Sequence, residues 1–219
     1  MKVTYYLETI SSWCHWAEPA WAELKARYAG RAHFEWKIAL MRAEDFPVSR
    51  SQAEWFYRRS GGTVMHSPVM LNAGWLNEGS GSNYEAASLV AEAAKDFGFV
   101  DDAVRLAITH AAVFEGKSVG DFAVAAAVAA KASGVPAKKL RARAESAALR
   151  ARVEASTAEF FSHRITQRPA FVIEDRIGDK VVFSGIVRAA PIAAAIDAML
   201  SDTAAYDAHD AHFGTPPPR

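Results

Sequence analysis

The apolar pattern of this chain changes period along its length, and the order of the changes limits the folds open to it. Val3-Thr4-Tyr5-Tyr6-Leu7 is β-branched and aromatic, the composition of a buried strand. Across residues 13–28, Trp13, Trp16, Ala17, Ala20, Trp21 and Leu24 recur at helical spacing, and Gly30 ends the run. From His33 to Leu40 the apolar residues Phe34, Trp36, Ile38 and Leu40 alternate, which predicts a second strand. Strand, helix and strand on short links make a βαβ unit, with parallel strands and a right-handed crossover. Beyond Pro169, Ala170–Glu174 and Lys180–Phe183 flank Asp175–Asp179 as a β-hairpin with Gly178 in its turn, and Ala189–Leu200 follows as a helix. A parallel pair joined to an antiparallel hairpin predicts an α/β fold with a four-stranded mixed sheet.

Between these halves, Asn83–His163 is alanine-rich and helical in period, and reads as four or five helices divided at Gly98, Gly116 and Gly134-Val135-Pro136. Ser118-Val119-Gly120-Asp121 has the spacing of a capping box, with Asp in place of Glu or Gln. No fixed period relates these helices as repeats. In the segment 42–80, Ser49–Arg59 suits a short helix, while Gly61-Gly62, Pro68, Gly74 and Gly79-Ser80-Gly81-Ser82 interrupt it. Long irregular loops often rim a site. The expected division is a sheet domain from 1–80 and 164–200, an inserted helical subdomain over 81–163, and a tail over 201–219, frayed or serving as a packing arm.

The 219 residues are 51% hydrophobic, enough for a packed core, which excludes wholesale disorder. Lys plus Arg and Asp plus Glu are both 25, so no net charge marks the chain as a partner of nucleic acid or of an anionic membrane. The N-terminus runs directly into a strand, without the pattern of a signal peptide. The stretch Val119–Ala130 contains Asp121 and is too short to span a bilayer. The expectation is a cytoplasmic protein with no membrane partner. Cys14 is the single cysteine, so no internal disulfide forms and no cysteine-based zinc cage exists.

That cysteine belongs to Ser11-Ser12-Trp13-Cys14, where the first strand hands over to the first helix. Backbone N–H groups at a helix N-terminus stabilise a thiolate, so Cys14 is either an activated nucleophile or a small buried hydrophobe. His15 is the one neighbour able to add positive charge. Ser11 suits an N-cap, and its hydroxyl can also donate to a bound thiolate; the two roles are compatible. Elsewhere, His209 and His212 lie with Asp207 and Asp210 in a polar tail that could chelate a metal if helical; with no third anchored ligand it reads as solvated, so no metal is expected. His66, in the long loop, either lines the pocket or is a surface residue. Trp55, Phe56 and Tyr57 beside Arg58 and Arg59 are either packing residues or the wall of a site for an acidic aromatic substrate.

The run Val3–Cys14 resembles the first strand and active-site turn of the DsbA-like branch of the thioredoxin superfamily, in which a Cys-x-x-Cys motif follows the strand. In this register Ser11 takes the place of the first, nucleophilic cysteine, Cys14 that of the second, buried one, and Pro19 matches the proline that bends the helix. A second register over Trp13–Ala17 makes Cys14 the nucleophile and Ala17 the lost partner; strand length and Pro19 favour the first. Thr166-Gln167-Arg168-Pro169-Ala170-Phe171-Val172 resembles the family's cis-proline loop, which implies a cis Arg168–Pro169 bond. In the family the backbone before that proline pairs with a thiol substrate or peptide, which nominates Arg168; its charge either attracts an anion such as the glutathione carboxylate or is merely solvated. The helices of 83–163 resemble the family's insertion, and Phe183-Ser184-Gly185 its post-hairpin turn.

A dithiol oxidase shuttles a disulfide between two cysteines, which one subunit of this chain lacks. The Ser11-x-x-Cys14 pattern instead resembles the kappa-class glutathione transferases and the 2-hydroxychromene-2-carboxylate isomerases, whose serine activates the thiolate of bound glutathione. The resemblance implies a thiol-dependent enzyme that transfers, isomerises or reduces a small electrophile. Glutathione is the cosubstrate it implies, with Ser11 and Cys14 catalytic and Ser12, Trp13, Arg168 and Pro169 around the cosubstrate. Two alternatives stand beside it: a monothiol oxidoreductase using Cys14, and a non-catalytic module binding peptides along the cis-proline edge. The expected partners are small molecules or thiols, with a homodimer as an option.

Overall fold

Four strands and eight α-helices account for most of the computed structural model, which describes residues 1–76 and 84–214. Strand β1 (Lys2–Leu7) leads into helix α1 (Ser12–Arg27), and β2 (His33–Ile38) returns parallel to β1 with Tyr5 beside Trp36. The hairpin of β3 (Ala170–Glu174) and β4 (Lys180–Ser184) adds on the other side, β3 antiparallel to β1 with Tyr5 beside Phe171. The sheet order is β2-β1-β3-β4, the mixed sheet that the switching periods predict. Asp175 closes the hairpin turn: its Oδ1 accepts the N–H groups of Ile177, Gly178 and Asp179.

Alternation along β1 sorts its side chains to two faces. Val3, Tyr5 and Leu7 join the main core, where Tyr5 stacks on Phe171 at 4.8 Å and meets Trp21 of α1 at 5.1 Å. Tyr6 points the other way, into a smaller cluster with Ala39, Val172 and Phe160. Phe160 belongs to α7 (Ala147–Ser162), and α8 (Ala189–Phe213) packs beside α1 on the opposite face.

The insertion comprises α3 (Glu85–Ala94), α4 (Ala103–Val113), α5 (Phe122–Ser133), α6 (Ala137–Ala144) and then α7. Gly98, Gly116 and Gly134 all sit at positive φ between these helices, the conformation that only glycine adopts freely. A further break at Ser146, whose side chain accepts the Leu149 N–H, lacks glycine or proline and leaves no periodic signal. The cap of α5 differs from the expected one. Asp121, not Ser118, is the N-cap, and its carboxylate accepts the N–H groups of Ala123 and Val124. The insertion is tied to the sheet domain by a buried ionic cluster: Arg105 of α4 forms a two-pronged pair with Glu18 of α1, and its second nitrogen also bonds Asp102.

The C-terminal segment extends the helix expected over Ala189–Leu200. Helix α8 continues past Leu200 to Phe213, because no glycine or proline interrupts it before Gly214. Thr203 bonds Asp175 Oδ2 and Asp207 pairs with Arg176, which dock the extension on the hairpin turn. Around the short helix α2 (Arg50–Tyr57) the chain continues as a π-helical turn over Arg58–Val64. The run Gly79-Ser80-Gly81-Ser82, Asn83, and the final Pro216-Pro217-Pro218 lie outside the described residues. Among those described, no helix is long and apolar enough to cross a membrane.

Candidate active site

Strand β1 ends in Glu8-Thr9-Ile10, and Ser11 then caps α1 from an extended conformation. Its Oγ accepts the Cys14 N–H at 3.4 Å, and its own hydroxyl proton has no acceptor among the described residues. Ser11 and its neighbours Ser12 and Trp13 line a cavity of about 510 Å³, a volume suited to a small molecule. Across from them stands the loop before β3, contributing Thr166, Gln167 and Arg168. The Arg168–Pro169 peptide bond is cis. Pro169 itself is buried behind the wall, where its carbonyl accepts the Gly185 N–H at 2.7 Å.

Most of the remaining lining comes from the irregular segment after β2, with Ile10 and, from α7, Phe161 added. Phe46, Phe56, Tyr57 and Trp75 make an aromatic wall, joined by a 2.7 Å hydrogen bond from Trp75 Nε1 to Tyr57 Oη. Ser60 closes it and accepts Trp16 Nε1–H at 3.0 Å. Gly61 lies so close to Trp16 that an added Cβ would stand 2.9 Å from the ring. A Gly61→Ala variant should therefore lose about 1–3 kcal/mol of stability, read as a lower urea midpoint at unchanged slope.

Charge in the cavity is positive on balance. Arg42 is paired with Glu44 and Asp45, while Arg59 lies over the rings of Trp55 and Phe56 and has no ion pair among the described residues. Of the five-residue aromatic and basic run, Phe56, Tyr57 and Arg59 reach the cavity; Trp55 is half exposed on the outside, and Arg58 pairs with Glu54.

No family profile and no curated protein matches the sequence. Solved structures do match. A Nitrosomonas europaea protein assigned as a protein disulfide isomerase superposes with a TM-score of 0.73 at 16% identity, covering 92% of this chain and 98% of that one. The cytosolic disulfide reductase DsbM of Pseudomonas aeruginosa superposes at 0.71 and 17%, over 92% and 99% of the two chains, and has also been solved with GSH. A 2-hydroxychromene-2-carboxylate isomerase gives 0.63 and 12%, over 94% and 99%. The chain has the DsbA-like thioredoxin fold.

Within this DsbA-like fold four residues nominated from sequence, Ser11, Ser12, Trp13 and Arg168, meet at one cavity. Cys14 does not line that cavity, although the resemblance implies a catalytic role for it; it is buried, as the second cysteine of the motif is. One turn into α1, it faces the core at 2% exposure, and its Sγ accepts the Glu8 N–H at 3.4 Å. Burial pushes the thiol up to about 12, so the helix terminus does not produce a thiolate here. His15 adds no charge either. Its ring packs on Trp16 and Phe114, and burial, with His110 nearby, lowers its pKa and keeps it neutral.

Arg168 also departs from expectation, being neither solvated nor free to hold an anion. It is 8% exposed, donates to the carbonyls of Ala39, Leu40 and Thr166, and lies 4.6 Å over the ring of Phe160. Its task is to clamp the exit of β2 against the cis-proline loop. His66, exposed at φ 51°, does not line the cavity, and no cluster of three metal-ligating side chains occurs among the described residues.

Sequence reasoning missed Glu8. It is 1% exposed behind the Ser11 turn, where its carboxylate accepts the N–H groups of Thr9 and Met41 and the hydroxyl of Ser88. Burial pushes its pKa up to about 7 against these donors and the Arg168 charge. The available signal was a lone acid at the end of an otherwise apolar strand.

Proposed function

We propose that this protein is a thiol-dependent enzyme in which Ser11 and the N-terminus of α1 hold the thiolate of a bound cosubstrate, glutathione. The observation that carries this reading is Ser11: a capping serine on the cavity wall with an unspent hydroxyl proton, while the chain's own thiol is buried behind it. The Oγ–H donates to the sulfur, and the helix N-terminus adds favourable potential, so the anionic form is stabilised at neutral pH. Arg59 and Arg42 offer positive charge to the cosubstrate's carboxylates, and the aromatic wall of Phe46, Phe56, Tyr57 and Trp75 accommodates the body of a small electrophile. Transfer, isomerisation and reduction all begin from such a thiolate. The disulfide reductase of like fold solved with GSH supports the cosubstrate, and the isomerase of like fold supports the small-molecule substrate.

A monothiol mechanism through Cys14 is disfavoured by its burial and raised pKa. Titration calorimetry with glutathione tests the proposal. Wild type should bind, and Ser11→Ala should weaken binding of the thiolate roughly tenfold or more, the value of a hydrogen bond to a charged group. The thiolate absorbance of bound glutathione should rise at higher pH in the variant than in wild type. Absence of binding to the wild type overturns the reading.

A further inference from the structure

Ser11 leaves the buried acid behind it without a task. Donors from three segments converge on Glu8: Thr9 N–H at 3.1 Å and the Ser88 hydroxyl on Oε1, and Met41 N–H at 3.1 Å on Oε2. Thr9 opens the turn that carries Ser11, Met41 lines the cavity beside Arg42, and Ser88 stands on α3 of the insertion. The ionisable groups facing the carboxylate are Arg168, from the loop before β3, and the Cys14 thiol of α1. Helix α3 presents Ser88, and α4 presents Thr109, whose hydroxyl donates to the Thr9 carbonyl at 2.7 Å.

We propose that Glu8 is a proton-operated latch on the Met41–Arg42 wall of the cavity: ionised, it grips the Met41 amide; protonated, it turns the Ser88 hydroxyl to Thr9 and relaxes that grip. The proton, exchanged with solvent, has a defined place. On Oε1 it is donated to Ser88 Oγ, whose own hydrogen turns to Thr9 Oγ1, 2.9 Å away. No donor is orphaned, but Met41 then bonds a neutral carbonyl in place of an anion, and charge-assisted bonds are about twice as strong. Burial brings the titration to about 7, so both forms are populated near neutral pH. Arg42 follows Met41, so the state of the latch reaches the cationic side of the site.

This inference rests on the cavity being the thiol site, and one arm of its test does not. The amide resonances of Thr9 and Met41 are followed by NMR from about pH 5 to pH 9. Both should shift with a common midpoint near 7, the shifts should vanish in Glu8→Gln, and Ser88→Ala should raise the midpoint by removing a donor to the carboxylate. A Met41 amide that does not titrate, or titrates unchanged in Glu8→Gln, overturns the latch. Should that variant fail to fold, the Ser88→Ala midpoint decides, and an unshifted one overturns it. The second arm measures binding of S-methylglutathione, which has no thiol to titrate, at about pH 5.5 and 8.5. Wild-type affinity should change about threefold or more beyond any change in Glu8→Gln. Equal pH dependence in both proteins overturns control of the site. Titrating amides without any binding keep the latch and overturn the reading of the cavity as a glutathione site.

Discussion

Replacing Arg105 by Met should lower the stability of the fold by about 3–5 kcal/mol, the cost of breaking a buried ion pair from one side. Arg105 is 1% exposed and neutralises two acids at once, Glu18 through both terminal nitrogens and Asp102 through one. Its removal leaves the Glu18 and Asp102 carboxylates with Lys25 as their one cation among the described residues, beside the neutral donors Trp21 Nε1 on Asp102 and Tyr5 Oη on Glu18. Burial works against the Asp102 charge, and the Arg105 and Lys25 cations outweigh it, holding its pKa below the ordinary range. Thermal unfolding should fall by roughly 10 °C for a chain of this size. The triple substitution Glu18→Gln, Asp102→Asn, Arg105→Met should recover most of the loss, because no buried charge is then unpaired and Lys25, which loses Asp102, is part-exposed to solvent. A single variant as stable as wild type would mean that the ionic cluster does not hold α4 to α1. The effect should reach the site as well. Tyr5 Oη bonds both Glu18 and the Cys14 carbonyl, so the first turn of α1, which Ser11 caps, rests on this cluster.

Local patterns and long-range burial divide what was legible in the sequence. The strands, the crossover, the hairpin and the glycine-marked helix ends are local events, written in residues a few positions apart, and the structure repeats them. The position of Ser11 was legible for the same reason: a strand followed by a capping residue and a helical run fixes a helix N-terminus. The fates of Cys14, His15 and Arg168 were not. Each depends on what another part of the chain brings up to it: Phe114 against His15, the Ala39 and Leu40 carbonyls under Arg168, and the core around Cys14. A helix terminus lowers a thiol's pKa only where solvent or a cation shares the burden, and at Cys14 desolvation is the larger effect. Glu8 escaped notice because its donors, Met41 and Ser88, are 33 and 80 positions away.

The same buried acid should give the protein a pH-dependent stability that Glu8→Gln removes. Burial raises the folded-state pKa of Glu8 from 4.5 to about 7, so between those values the folded chain holds a proton that the unfolded chain has released. Stability falls with rising pH wherever the folded state binds more protons, and this group therefore weakens the fold progressively from about pH 4.5 to about pH 7. A shift of this size corresponds to about 3 kcal/mol at pH 7.5 and above. The measurement is the difference in unfolding free energy between wild type and Glu8→Gln, taken from urea melts across that range. The difference should move against wild type by about 3 kcal/mol as pH rises. Titrations common to both proteins, including those of His15 and His163, whose pKa values burial lowers, cancel in it. A difference that stays flat would show that Glu8 ionises at its ordinary pKa inside the fold. A difference of opposite sign would show that its three donors and Arg168 outweigh burial, leaving the latch closed at every pH at which the protein is folded.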